Sequence, residues 1–301
     1  MRILNFGSLN IDYVYTVPHF VQPGETLHVL QQQVYPGGKG LNQSVALARA
    51  GASVFHAGCV ADAGEWLVQL LRENGADVSH IRRVQAIQGN AVIEVNAEGE
   101  NRILVFGGTN ACVTAEQITQ TLSDFAAGDL LLVQNEINRI PQLIDAAYAR
   151  GMRIVFNPSP CDNTIRKVDL DKVSWLLVNE TEARQISAEA QPQAAWKTLH
   201  EQYPRLSVLL TLGSAGSITF QPSGETIRRP AFPVQAADST AAGDTFTGYF
   251  LAGLQEQLPL KDCIRRASAA AAISVTRPGA ASSIPYRAEV DAFLARQPEA
   301  E

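Results

Sequence analysis

Apolar residues follow two rhythms along this chain. In one they run together over a few positions, as in DLLLVQ, RIVFN, SWLLVN and SVLLTL; in the other they recur at helical spacing, as in GKGLNQSVALARAG, AGEWLVQLLRENG and RIPQLIDAAYARG. The first rhythm predicts short strands buried on both faces and the second predicts helices with one apolar face. Their alternation predicts a mostly parallel sheet covered by helices on both sides, an α/β core. Leu41, Val45 and Ala48 lie near helical spacing ahead of Gly51, a helix-ending glycine, and SVFHAG then reads as a buried strand. From Ala241 onward the chain reads as mostly helical, with Phe246, Phe250 and Leu254 four apart. The alanine-rich stretch Ile264 to Val275 follows, its small side chains permitting close helix packing. Trp66, Trp175 and Trp196 stand among apolar residues and are expected in the core rather than as stacking platforms. The closing QPEAE is expected to fray.

Two stretches depart from this pattern. Asp12 to Val34 carries alternating and β-branched residues, among them Val14, Thr16, Thr26 and Val29, interrupted by Pro18 and by Pro23-Gly24; it reads as strands joined by a turn. NAVIEVN (Asn90 to Asn96) meets RILVF (Arg102 to Phe106) through AEGEN, a hairpin signal. The two β islands can form one small sheet.

Composition narrows the function classes. The 301 residues suffice for two domains or one large one, and no repeat or low-complexity linker divides them. Charged residues are 18% against about 25% in an average globular protein, and hydrophobic ones 46%, so a large core is expected and global disorder is excluded. Lys plus Arg total 24 and Asp plus Glu 30, a net charge of −6, with no basic run or helix; neither nucleic acid nor an anionic membrane is an expected partner. The four cysteines form no C-x-x-C pair and the histidines no H-x-x-x-H, so a zinc site has no support. The opening MRILNFGSLN has no apolar stretch of signal-peptide length, and no segment runs 18 apolar residues without a charge; a reduced, soluble, cytoplasmic protein is expected.

The most informative chemistry lies in ADSTAAGDTFTG (Ala237 to Gly248). Ala241, Ala242 and Gly243 open a helix, where free N–H groups and the positive dipole end can hold phosphate charge without side chains in the way. Asp244, in the first turn, can accept a proton from a hydroxyl attacking that phosphate, or can simply stabilise the helix dipole. PGGKGLN (Pro36 to Asn42) sets three glycines around Lys39 before a helix. It fits neither the phosphate loop G-x-x-x-x-G-K-S/T nor G-x-G-x-x-G, and reads equally as a ligand loop or as a tight turn with Lys39 solvated. Asn10 and Asp12 end a strand where α/β folds bind ligands, or form an Asx turn. In VNETEA, Asn179 is a good N-cap with Glu180 and Glu182 behind it. TLGSAGS is a glycine-rich connection that serves either a nucleotide or a plain hairpin.

Taken together and in order, Gly7 to Asp12, Gly37 to Asn42, Asn179 to Glu182, Thr211 to Gly216 and Asp238 to Asp244, with the tail AAAISVTRPGAASSIP, resemble the ribokinase-like carbohydrate kinases over nearly the whole chain. The resemblance implies a three-layer α/β/α core with a mostly parallel sheet (residues 1–11, 35–89 and 107–301) and a small β-sheet lid (residues 12–34 and 90–106) that closes over a sugar and can form a homodimer interface. It implies Asp244 as the catalytic base and Ala241, Ala242 and Gly243 as the anion hole. It implies sugar contacts from Asn10, Asp12, Gly38, Lys39, Gly40, Asn42 and Glu136. Asn179 and Glu182 would organise Mg²⁺ indirectly together with the phosphates. Asn179, Thr211, Gly213, Ser214, Ala215, Gly216 and Gly243 would meet ATP, with Ser268 near the adenine where relatives often carry Asn or His. Asp238, Thr240, Ser274, Arg277, Gly279 and Ser283 match the positions of a K⁺ site, most of them through backbone carbonyls.

The expected activity is therefore ATP-dependent phosphorylation of a pentose at its primary hydroxyl, ribose first and deoxyribose second, with nucleosides, other sugars and sugar acids as alternatives. A phosphosugar would need a cation on the lid. The first island has none, and Arg102 alone keeps that alternative open. A non-catalytic sugar-binding regulator is the alternative from another class, against which the base and anion-hole residues speak.

Overall fold

The computed structural model describes residues 1–297; the fraying expected of QPEAE falls, beyond Gln297, outside the described residues. The chain starts with β1 (Ile3–Phe6), β2 (Asn10–Thr16), β3 (Gln31–Gly37), α1 (Lys39–Arg49), β4 (Val54–Val60), α2 (Glu65–Glu73) and β5 (Asp77–Arg83). A hairpin of β6 (Asn90–Val95) and β7 (Asn101–Phe106) follows, then α3 (Ala115–Ser123), β8 (Leu130–Gln134), α4 (Ile140–Ala149), β9 (Arg153–Asn157) and β10 (Trp175–Asn179). Next come α5 (Glu180–Ser187), α6 (Pro192–Gln202), β11 (Ser207–Thr211), β12 (Ser217–Phe220) and β13 (Thr226–Arg229), and the chain closes on α7 (Ala242–Gln255), α8 (Leu260–Ser274) and α9 (Arg287–Leu294).

Nine strands form one sheet in the order β13-β12-β11-β10-β9-β8-β1-β4-β5, parallel from β11 to β5, with β12 and β13 antiparallel at one edge. The continuous apolar runs are buried on both faces because side chains alternate along a strand. Leu130 and Leu132 pack with α1, α2, α7 and α8 on one face. Leu131 and Val133 pack with α3, α4, α5 and α6 on the other. These are the three layers expected. Phe246 and Phe250 lie in the core, and Trp175 and Trp196 are buried, as the sequence indicates.

The two β islands pair into one four-stranded sheet, β3-β2-β6-β7, in which β2 and β6 are parallel and the two hairpin pairings antiparallel. Thr26 and Val29, expected in strands, instead lie between β2 and β3. Pro18 and Pro23 cannot donate to a ladder, and Gly24 turns the chain at φ +83°. Trp66 is also a correction: it is 41% exposed, because α2 turns Leu67, Val68 and Leu71 to the core and leaves Trp66 outside that face. The edge strand β5 was not legible, since DVSHIRR mixes charge with few apolar residues.

The small sheet is tied to the core at the base of β2. Asn110 Nδ2 donates to Asn10 Oδ1 (2.6 Å), Leu9 N donates to Asn110 Oδ1 (3.0 Å) and Gln88 Nε2 donates to the Leu9 carbonyl (2.6 Å). Among the described residues, no helix is long and apolar enough to cross a membrane.

Candidate active site

The carboxyl ends of β9, β10 and β11 and the start of α7 border a cleft of about 390 Å³ that is lined by Asn157, Asn179, Glu182, Thr211, Gly213, Ala241, Gly243, Asp244 and Lys39. The chain enters α7 through Ala241 in the left-handed conformation, φ 59°. The Ala242 amide is turned to the Ser239 carbonyl (3.2 Å) and that of Thr245 to Ala241 (2.8 Å); those of Gly243 and Asp244 have no backbone acceptor among the described residues. A Cβ on Gly243 would meet nothing within 4 Å, so glycine leaves open space over these amides. This is an anion-binding helix start in the geometric sense.

Asp244 is 7% exposed and is held from α1. Asn42 Nδ2 donates to its Oδ2 (3.1 Å) and Gln43 Nε2 to its Oδ1 (2.8 Å). The first turn of α1 also carries Lys39, whose charge burial opposes but the carboxylates of Asp244, Glu136 and Glu182 favour, holding the amine above its ordinary range. Lys39 is thus not the solvated side chain of a plain turn. Glu136 Oε2 accepts from Ser8 Oγ (2.5 Å) and from Lys39 N (2.9 Å), and Gly40 N donates to Ser8 Oγ (3.1 Å). Burial raises the Glu136 pKa, partly offset by Lys39 and Ser8. A Cβ on Gly40 would stand 2.3 Å from Ser8 N, so α1 can approach β1 this closely only at a glycine.

Asp12 reaches this cluster from the small sheet. Burial, and then the Glu136 charge, push its pKa up to about 7. Its carboxylate lies over Gly37, where a Cβ would come 2.1 Å from Oδ2. Cross-strand register puts Asp12, Ala91 and Val105 on one face of the sheet and Tyr15, Glu94 and Arg102 on the other. The Arg102 guanidinium sits 4.2 Å from the Phe20 ring centroid. Arg102 therefore faces away from Asp12, and the cation a phosphosugar would require is not beside it.

On the cleft's other side Asn179 and Glu182 form a capping box at the start of α5: Glu182 N donates to Asn179 Oδ1 (2.9 Å) and Asn179 N to Glu182 Oε2 (3.0 Å). Thr211 to Gly216 make a tight β11–β12 connection with Ser214 and Ala215 exposed; Gly216, at φ +98°, passes so near Arg229 O that a Cβ would clash at 2.0 Å. Ser268 is buried in α8 with its hydroxyl unpartnered and is not part of the cleft lining.

Asp238 joins the segment before α7 to the tail: its Oδ1 accepts from Thr240 N (2.8 Å) and Oγ1 (2.6 Å), and its Oδ2 from Gly279 N (2.8 Å). Burial would raise its pKa, but these donors hold it below the usual carboxylate range. Ser274 and Ser283 hydroxyls are buried 3.1 Å apart, and the Arg277 side chain is paired with Glu289. Among the described residues no three His, Cys, Asp or Glu side chains cluster as metal ligands.

Sequence reasoning missed Ser8, Gln43, Asn110, Gln134 and Asn157, all polar and all bonded within or beside the site. Residues 2–287 match the model of the pfkB family carbohydrate kinases. The ribokinase of Haemophilus influenzae is 36% identical over 96% of each chain. Among solved structures, the ribokinase of Cryptococcus neoformans in complex with ADP superposes with a TM-score of 0.86 at 34% identity, covering 97% of this chain and 99% of that one. The Arabidopsis thaliana ribokinase complexed with ribose and ATP superposes at 0.88 and 25% identity, covering 98% and 99%.

Proposed function

Because the chain belongs to the pfkB family of carbohydrate kinases, we propose that it transfers the γ-phosphoryl group of ATP to the primary hydroxyl of D-ribose, giving ribose 5-phosphate and ADP. The observation that carries this reading is Asp244, a buried carboxylate in the first turn of α7, beside free helix-start amides on one side and the Asn42, Lys39 and Glu136 cluster on the other. The relatives named ribokinase support ribose, as does the turning of Arg102 away from Asp12.

Asp12, Asn10 and Asn42, with Lys39, Glu136 and the Gly38 backbone, hold the sugar hydroxyls, while the Gly40 amide and carbonyl are taken by Ser8 and Asn5, so that Gly40 serves the close approach of α1 to β1. Asp244 takes the proton of the primary hydroxyl as its oxygen bonds the γ-phosphorus; the bond from that phosphorus to the bridging oxygen breaks, and its electron pair leaves on ADP. The amides of Gly243 and Asp244 and the positive end of α7 stabilise the charge spread over the transferred group. Thr211 to Gly216 flank the nucleotide. Mg²⁺ would supply charge neutralisation at the phosphates, and Asn179 and Glu182, fixed by their capping box, would organise it indirectly, since a hard cation held mainly by phosphates needs few protein ligands.

The loop pair joined by Asp238 would hold a potassium ion, with Asp238 supplying the negative charge and Thr240, Ser274, Arg277, Gly279 and Ser283 acting mostly through backbone carbonyls, and the ion would order the entry to α7. We place the enzyme in the cytoplasm, consistent with four free cysteines, and as a homodimer through the small sheet.

A coupled ATP-consumption assay over ribose, deoxyribose, fructose, nucleosides and sugar acids tests the reading. Ribose is expected to give the highest kcat/KM, and Asp244→Asn to lose about 10²- to 10⁴-fold in turnover while still binding ribose. Near-normal turnover in Asp244→Asn refutes the role of the base. Run in tetramethylammonium buffer, the same assay should be slow and should recover on titration with potassium; equal rates in both remove the cation site.

A further inference from the structure

Gln43, Gln134 and Asn5 are each 0% exposed, and the reaction described above uses none of them. Together they form a chain of side-chain amides that ends on Asp244. An amide carries a donor and an acceptor on opposite arms, so a partner able to play only one role fixes which way it faces. At one end Asn5 Nδ2 donates to the Gly40 carbonyl (2.8 Å) and to Ser44 Oγ (2.8 Å), which turns Asn5 Oδ1 toward Gln134 Nε2 (2.8 Å). Gln134 Nε2 donates as well to Gln43 Oε1 (2.7 Å). At the other end Asn157 Nδ2 donates to the Leu177 carbonyl (2.9 Å), which turns Asn157 Oδ1 toward Gln43 Nε2 (3.0 Å).

Both ends are anchored on backbone carbonyls, which only accept. Each end independently demands that Gln43 show its oxygen to Gln134 and its NH₂ to Asp244 Oδ1 (2.8 Å). A flipped Gln43, whose own side chain is fully buried, would set two oxygens against each other at Asn157 and again at Asp244. The direction of the donor at Asp244 is therefore set by β1, β8, β9 and β10 rather than by Gln43 alone.

We propose that Gln43 is a positioning residue for the catalytic base: the amide chain Asn5–Gln134–Gln43, braced by Asn157, fixes the plane of the Asp244 carboxylate so that a lone pair meets the sugar hydroxyl. The proposal rests on the reading of Asp244 as the base. Gln43 itself meets the carboxylate and its amide neighbours. Its loss therefore leaves the binding of sugar intact and lowers turnover, because a general base works only in a narrow range of geometry.

The test compares full-length wild type, Gln43→Met, Gln134→Met, Asp244→Asn and the Asp244→Asn/Gln43→Met double variant, by steady-state kinetics and by calorimetric titration with ribose. Methionine keeps the length of glutamine without its donors. Gln43→Met should lose about 10- to 100-fold in kcat, as expected for a lost hydrogen bond to a charged group, with ribose KM and Kd within about twofold of wild type. Gln134→Met, one bond further away, should lose about 3- to 10-fold in kcat in the same manner, and it carries the test if Gln43→Met does not fold. In the Asp244→Asn background Gln43→Met should cost nothing further, since no base remains to be positioned.

Wild-type kcat in Gln43→Met overturns the proposal, as does the same loss with and without Asp244, or a loss confined to ribose affinity. An inactive Asp244→Asn beside a fully active Gln43→Met overturns the positioning role alone. A fully active Asp244→Asn overturns the base and the positioning role together.

Discussion

Asp12 is the residue whose charge the folded chain perturbs most usefully. Burial and the neighbouring Glu136 raise its pKa from 3.8 to about 7, so the folded chain holds this proton more tightly than an unfolded one does. The stability it contributes is full below about pH 4 and is lost as pH rises to about 7. Ligand-free Asp12→Asn should lack that part of the pH slope, measured as the change in Tm between pH 5 and pH 7.5. Sugar binding runs the other way. An ionised carboxylate accepts hydroxyl protons more strongly than a neutral one, so ribose affinity should rise from pH 6 to pH 8 in the wild type and stay flat in Asp12→Asn. Calorimetry at three pH values checks this, with Glu136 and Lys39 present in both proteins; a wild-type affinity independent of pH sinks the assignment. Single residues were legible in the sequence where they carry charge or sit in a glycine frame, as Asp12, Lys39 and Asp244 do. Gln43, Gln134 and Asn157 were not, because an amide in a buried run has no spacing signature; its meaning arises only when β8 and β9 lie side by side.

At the scale of elements, the site depends on how closely α1 and α7 approach. A Cβ on Gly248 would fall 2.3 Å from Ala46 Cβ and 2.8 Å from its backbone, so only glycine lets the two helices meet this closely. One turn earlier in each helix, Asn42 and Gln43 reach Asp244. Gly248→Ala should destabilise by about 1–3 kcal/mol through overpacking. It should also lower kcat, because separating the helices lengthens the bonds on Asp244. Urea unfolding and steady-state kinetics on one preparation check both, and an unchanged unfolding midpoint would show that the contact is slack. Elements with a clean period were legible before the fold was seen: α1, α4, β8 to β11 and the β6–β7 hairpin. What escaped were α3, α6 and β13, together with β5, an edge strand freed from the need for apolar residues, and Trp66, whose neighbours are apolar in sequence but point elsewhere on α2.

At the scale of the molecule, the small sheet leaves an unusual surface. On β7 Ile103, Leu104, Val105 and Phe106 are all at least half exposed, on both faces of an edge strand. Such a run invites association unless it is covered, and a second copy of the small sheet is the cover proposed above. In analytical ultracentrifugation the wild type should sediment as a dimer, and Ile103→Glu combined with Leu104→Glu, one change on each face, should yield monomer. A wild type that is monomeric at micromolar concentration ends that reading.

If the small sheet tilts about its tie to Asn110, the base of β2 is the pivot, and distance from it decides how far each part of the sheet would travel. Asp12 stands two residues out, about 7 Å, and Thr16 about 20 Å. A tilt of about 20° would carry Thr16 about 7 Å yet move Asp12 by only about 2 Å. Such a short arm would keep the carboxylate near its place through the tilt, while the far end of the same strand would move much further.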